Sequence, residues 1–83
     1  MLFRSNISVF PALSNGVFNV EVSGLPVMGS IEVYNLSGEK IYTTPSQHFN
    51  NSSVDISDKP NGIYFLHIKA EEGSASRKII LNK

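Results

Sequence analysis

Two histidines, a few carboxylates and many serines are the residues of this chain that could do chemistry. Imidazoles bind metals and move protons near neutral pH. His48 and His67 stand on separate segments with no carboxylate at a recognisable ligand spacing. They read as ordinary surface or edge histidines. Asp55, Asp58, Glu71 and Glu72 could gather at one end of a β-structure, and converging loop carboxylates are what calcium needs. The simpler expectation is four solvated turn residues, with Asp58 bonding its own turn backbone. No Gly-x-Ser-x-Gly elbow exposes a nucleophile, and no glycine loop is built for phosphate. These patterns predict no enzyme, no metal and no cofactor. The Asn-x-Ser triplets at Asn6, Asn35, Asn50 and Asn51 are chance matches in a chain rich in both residues.

The elements that would position such residues are strands. Short segments of alternating polarity recur every eight to twelve residues, punctuated by Gly, Pro and Asn. Strands are expected at 7–10, 17–22, 30–34, 40–44, 53–56, 63–69 and 75–81. Asn15-Gly16 is a strong turn dipeptide. Residues 35–39 close a hairpin with Gly38 in the left-handed position, and 70–74 close another around Gly73. Residues 46–53 are polar and read as mostly irregular. The fold class predicted is all-β: a seven-stranded, mostly antiparallel, immunoglobulin-like sandwich. Residues 1–5 read as a linker and 6–83 as one domain.

The totals agree with one small domain of modest stability and do not by themselves say what it does. The chain has 83 residues, seven basic and seven acidic side chains and no cysteine. Zero net charge gives no electrostatic footprint for nucleic acid or an anionic membrane. No segment is apolar enough to insert across a bilayer as a helix. The first five residues are too short for a signal peptide, so export would need a signal elsewhere on the chain.

The most apolar run follows Pro60-Asn61-Gly62. Those three residues suit a tight turn, with Pro60 presetting φ and Asn61 tolerating left-handed geometry. Beyond them Tyr64, Leu66 and Ile68 share one face, and Ile63, Phe65 and His67 the other. Tyr64 is placed to swing its hydroxyl back to the backbone between Ile56 and Pro60, as in a tyrosine corner. The alternative is a packed ring with its hydroxyl in solvent. Ile63 and Phe65 form either an apolar outer patch for a partner or a face packed under residues 46–53.

Four pieces stand in a particular order. They are Val9-Phe10-Pro11 with Asn15-Gly16-Val17-Phe18, Val33 to Ile41, Pro60 to Leu66, and Arg77-Lys78-Ile79-Ile80. From Asn6 to Lys83 the chain resembles the type A C-terminal sorting domain of the bacterial type IX (Por) secretion system of Bacteroidota. That family's first motif reads Tyr-Pro-Asn-Pro-x-x-Gly. Here Pro11 and Gly16 stand, while Phe10, Ala12 and Leu13 replace its Tyr, Asn and second Pro. The resemblance implies an address label rather than an enzyme. It is carried at the end of a larger cargo, passes through the periplasm and is read by an outer-membrane translocon. A surface sortase then cuts the label away, leaving the cargo anchored at the cell surface or released. The residues it singles out are Pro11, Gly16, Gly38, Pro60, Asn61, Gly62, Tyr64, Phe65, Lys78 and Lys83. Lys83, almost flush with the last strand, suits a signal at the extreme C-terminus. Two other modules fit the pattern. One is an immunoglobulin- or fibronectin-like adhesion or spacer unit. The other is a carbohydrate binder, for which Tyr34, Tyr42 and Phe65 would have to supply the aromatic platform.

Overall fold

The computed structural model describes residues 6–23, 27–44, 47–49, 51–70 and 73–83. Among them every regular element is a strand: β1 (Asn6–Phe10), β2 (Leu13–Ser14), β3 (Val17–Ser23), β4 (Val27–Asn35), β5 (Lys40–Thr43), β6 (Gln47–Phe49), β7 (Asn51–Asp55), β8 (Gly62–Ala70) and β9 (Gly73–Leu81). One sheet runs β1-β3-β7. The other runs β2-β9-β8-β4-β5, with β6 also paired to β4. The described residues thus form nine strands, not seven. The two extra strands are short and made by distant partners. Leu13 and Ser14 pair parallel to Ile80 and Leu81. Gln47 to Phe49 pair with Val27 to Gly29, in a stretch expected to be irregular.

The two sheets close on one core. Phe18, Val20, Val54 and Ile56 come from the β1-β3-β7 side, and Ile31, Val33, Tyr64, Leu66, Ile68, Ile79 and Leu81 from the other. Their spacing is two because successive strand side chains alternate between faces. Each such aliphatic or aromatic residue gains about 1.5–3 kcal/mol from burial. The run Ile79-Ile80-Leu81 has no local signal for its register. Tertiary packing sets it: Ile79 and Leu81 point into the core and Ile80 points out, half-buried. At one open side of the sandwich Arg77 spans the sheets, donating through Nη2 to the Ile7 carbonyl at 3.3 Å.

The β4–β5 hairpin forms as its sequence predicts, and Asn35 explains why. Its Oδ1 accepts from the amides of Ser37 and Glu39 at 3.0 and 2.9 Å, and Gly38 donates to its carbonyl at 3.0 Å. Gly38 holds φ +85°, which a side chain would resist. Gly73 also has a positive φ, at the start of β9. The corner before β8 is corrected. Its hydrogen-bonded turn is Ile56–Lys59, closed by the Lys59 amide on the Ile56 carbonyl at 3.0 Å. Asp55, not Asp58, supports it by accepting the Ser57 amide at 2.9 Å. That bond completes the turn early, so Pro60 and Asn61 lie beyond it. Asn61 is not left-handed, since among the described residues only glycines have positive φ.

Candidate functional site

Most of the singled-out residues converge on one end of the sandwich. The Tyr64 hydroxyl donates to the Pro60 carbonyl at 2.6 Å, so the tyrosine corner is present, with the ring buried at 4% exposure. Gly62 opens β8 opposite Leu81. The Asn61 Oδ1 accepts the Lys83 amide at 2.9 Å. The Lys83 ammonium donates to the carbonyls of Lys59 at 2.8 Å and Ser57 at 3.1 Å. Gly16 lies against the same turn: its carbonyl takes the Ile56 amide at 2.9 Å, and a β-carbon on it would overlap Ser57. Pro11, exposed after a cis peptide with Phe10, leads into β2. Gly38 caps the hairpin whose Asn35 pairs with Tyr64, so it too belongs to this end.

Phe65 and Lys78 stand on the outer face of the larger sheet. Phe65 is 39% exposed. The described strands of the 46–53 stretch do not run beside it: β7 pairs with β3 in the other sheet, and β6 pairs with Val27 to Gly29. That end of β4 adjoins Ala70, whereas Phe65 pairs with Tyr34. Cross-strand register aligns Lys78, Phe65, Tyr34 and Lys40 in one row over β9, β8, β4 and β5. The row spans about 14 Å at ordinary strand spacing. Beside it, toward the corner end, Leu13, Ile80 and Ile63 make a second row of apolar residues. Leu13 is 55% exposed.

On the other flank sits Glu32, a residue that the sequence reading passed over. It faces outward yet is only 8% exposed, covered by its own partners. Tyr34 donates to its Oε1 at 2.7 Å, Lys40 approaches Oε2 at 3.3 Å and Lys69 approaches Oε1 at 3.4 Å. The Tyr34 hydroxyl, helped by both lysines, holds the Glu32 carboxyl below the usual carboxylate range against the opposing effect of burial. The same bond pushes the Tyr34 phenol up. The signal available in the sequence was the i, i+2 pairing of Glu32 with Tyr34 on one strand face, with Lys40 returned beside them by the hairpin.

The candidates for chemistry do not gather. His67 lies within 3.2 Å of the Ser76 hydroxyl and pairs across strands with Glu32, while His48 lies on β6 opposite Met28. Asp58 approaches Lys59 at 3.8 Å. Asp55 is engaged by Ser57, whose hydroxyl and amide lower its pKa. Glu71 and Glu72 lie outside the described residues. Among the described residues no three metal-binding side chains cluster.

The fold and its outer face define a small β-sandwich module with a tied corner and a partly apolar outer face. The family model described as secretion system C-terminal sorting domain matches residues 8–82, essentially the whole chain. The chain belongs to this family, the type IX secretion C-terminal sorting domains. It is a family of sorting signals for export, not an enzyme family. No curated protein matches the chain.

Proposed function

We propose that residues 6–83 act as the address of a larger cargo protein, which the type IX translocon reads and passes from the periplasm across the outer membrane. A surface sortase then separates label from cargo, leaving the cargo anchored at the cell surface or released. The observation that carries this is the family match over residues 8–82. The gathering of Gly16, Pro60, Asn61, Gly62, Tyr64 and Lys83 at one end supports it, since a label must present the same surface whatever its cargo. The strand orders β1-β3-β7 and β2-β9-β8-β4-β5 support reading the sandwich as immunoglobulin-like. That topology suits many functions and decides none.

The test is transplantation. Residues Asn6 to Lys83 are fused to the C-terminus of a periplasmic reporter in a host with a type IX system. The reporter is expected outside the outer membrane, shortened if the sortase has acted. Retention in a host that exports its own cargo overturns the sorting reading and leaves an adhesion or spacer module.

A further inference from the structure

The outer face of the larger sheet is asymmetric in a way that specifies a partner. The row Lys78–Phe65–Tyr34–Lys40 has an ammonium at each end of an aromatic pair. The row Leu13–Ile80–Ile63 continues the apolar surface toward the corner. Among the described residues the strands of this face carry three lysines, Lys40, Lys69 and Lys78, and one carboxylate, Glu32. Glu32 is enclosed and already shared by Tyr34, Lys40 and Lys69. Neither Lys40 nor Lys69 is buried by that pairing, their side chains remaining 46% and 56% exposed. Lys78 is exposed, and no described carboxylate pairs with it. The outer face of the other sheet has the opposite charge: it carries Glu21 and Asp55 beside Asn19 and Ser53, with no lysine among its described residues, and its exposed apolar side chains, Phe10 and Val17, stand without a flanking ammonium. Zero net charge therefore conceals a cationic face and an acidic one.

We propose that the β2-β9-β8-β4-β5 face docks onto a protein surface with an apolar centre flanked by carboxylates. The proposal rests on the sorting reading, in which that surface belongs to the export machinery. Phe65 and Tyr34 supply the central contact, of the aromatic kind that dominates interface energetics. Lys78 and Lys40 meet carboxylates at its rim, about 14 Å apart. Glu32 fixes the donor side of the site: by bonding the Tyr34 hydroxyl it holds the ring and keeps Lys40 beside it.

The experiment uses the reporter fusion with Phe65→Ser, Lys78→Glu, Lys78→Arg and Glu21→Lys, each checked for wild-type melting. Glu21→Lys alters the opposite face and is the control. Phe65→Ser and Lys78→Glu are each expected to cut export about tenfold or more, with Lys78→Arg and Glu21→Lys exporting normally. If folded Phe65→Ser and Lys78→Glu are exported like the intact domain, the docking face is wrong while the sorting reading stands. If Lys78→Glu alone is tolerated, the acidic rim is wrong. Equal damage from Glu21→Lys overturns the assignment to this face. Retention of the intact fusion overturns the sorting reading itself, and the occupant with it. Normal export by all variants, with binding of xylan oligosaccharides lost in Phe65→Ser, gives the face to a carbohydrate instead.

Discussion

Tyr64 and Glu32 show how differently two bonded polar groups serve a fold. The Tyr64 ring is buried and its hydroxyl ends on the Pro60 carbonyl. Tyr64→Phe keeps the packing and loses one hydrogen bond, so chemical denaturation is expected to show a loss of about 0.5–1.5 kcal/mol. Tyr64→Ala adds a cavity and is expected to cost about 3–5 kcal/mol. A Tyr64→Phe variant as stable as wild type would show that the corner bond contributes nothing. Glu32 acts through charge. Its pKa is lowered in the folded chain, so the unfolded chain takes up protons first as pH falls. The stabilisation is fully present above the unfolded value, about pH 4.3, and is lost as pH falls through the folded value. Wild type is therefore expected to exceed Glu32→Gln in stability at about pH 7, and the gap to close as the pH falls below the unfolded carboxylate value. A gap independent of pH would show that the lysines and Tyr34 do not act on the ionised carboxylate.

At the scale of elements, much of the fold was legible in the sequence. The alternation in β3, β4 and β8 and the turn chemistry of Asn35 and Gly38 are local signals, and the structure follows them. β2 and β6 were not legible, because their pairing depends on β9 and β4 and their own residues carry no strand pattern. The corner was read one turn too late: Pro60-Asn61-Gly62 has turn composition, but the Lys59 amide closes the turn before it on the Ile56 carbonyl, with Asp55 holding the Ser57 amide. Asn61 and Lys83, which bond one another, lie 22 residues apart in sequence, and no local rule connects them. Of the candidate site, Phe65 and Tyr64 could be found from strand parity, whereas Glu32 needed the hairpin register. Two glycines separate conformational from steric demand. Gly38 has open space where a β-carbon would go and a positive φ, whereas Gly16 also meets Ser57. Gly38→Val is expected to destabilise by more than about 1 kcal/mol through backbone strain alone. Gly16→Ala is expected to cost at least as much despite its smaller side chain, because the Ile56–Lys59 turn must shift. Thermal melts of both variants check this. An unchanged melt for Gly16→Ala would mean the turn yields freely.

Across the whole molecule, the core joins the sheets face to face and the polar ties join them at the ends. Arg77 bridges to β1 along one side, and Lys83 is stitched to the Ile56–Lys59 turn and to Asn61. Lys83→Met removes the ammonium from two carbonyls. It is expected to lower stability by about 0.5–1.5 kcal/mol and to speed amide exchange at Leu81 and Asn82 more than at Leu66. Uniform acceleration throughout would show that the stitch holds the global fold rather than its end.

The antiparallel order of β1 and β3 has a further consequence. Asn6 pairs with Ser23 and Phe10 with Asn19, so β1 runs toward the corner and begins at the opposite end. The longest dimension of the molecule is 33 Å, close to the length of its nine-residue strands. Any polypeptide upstream of Asn6 therefore leaves from the pole farthest from Tyr64, Asn61 and Lys83. The module has a tail and a nose. A passenger fused upstream of Asn6 attaches at the tail, away from Tyr64 and Asn61, whatever its size.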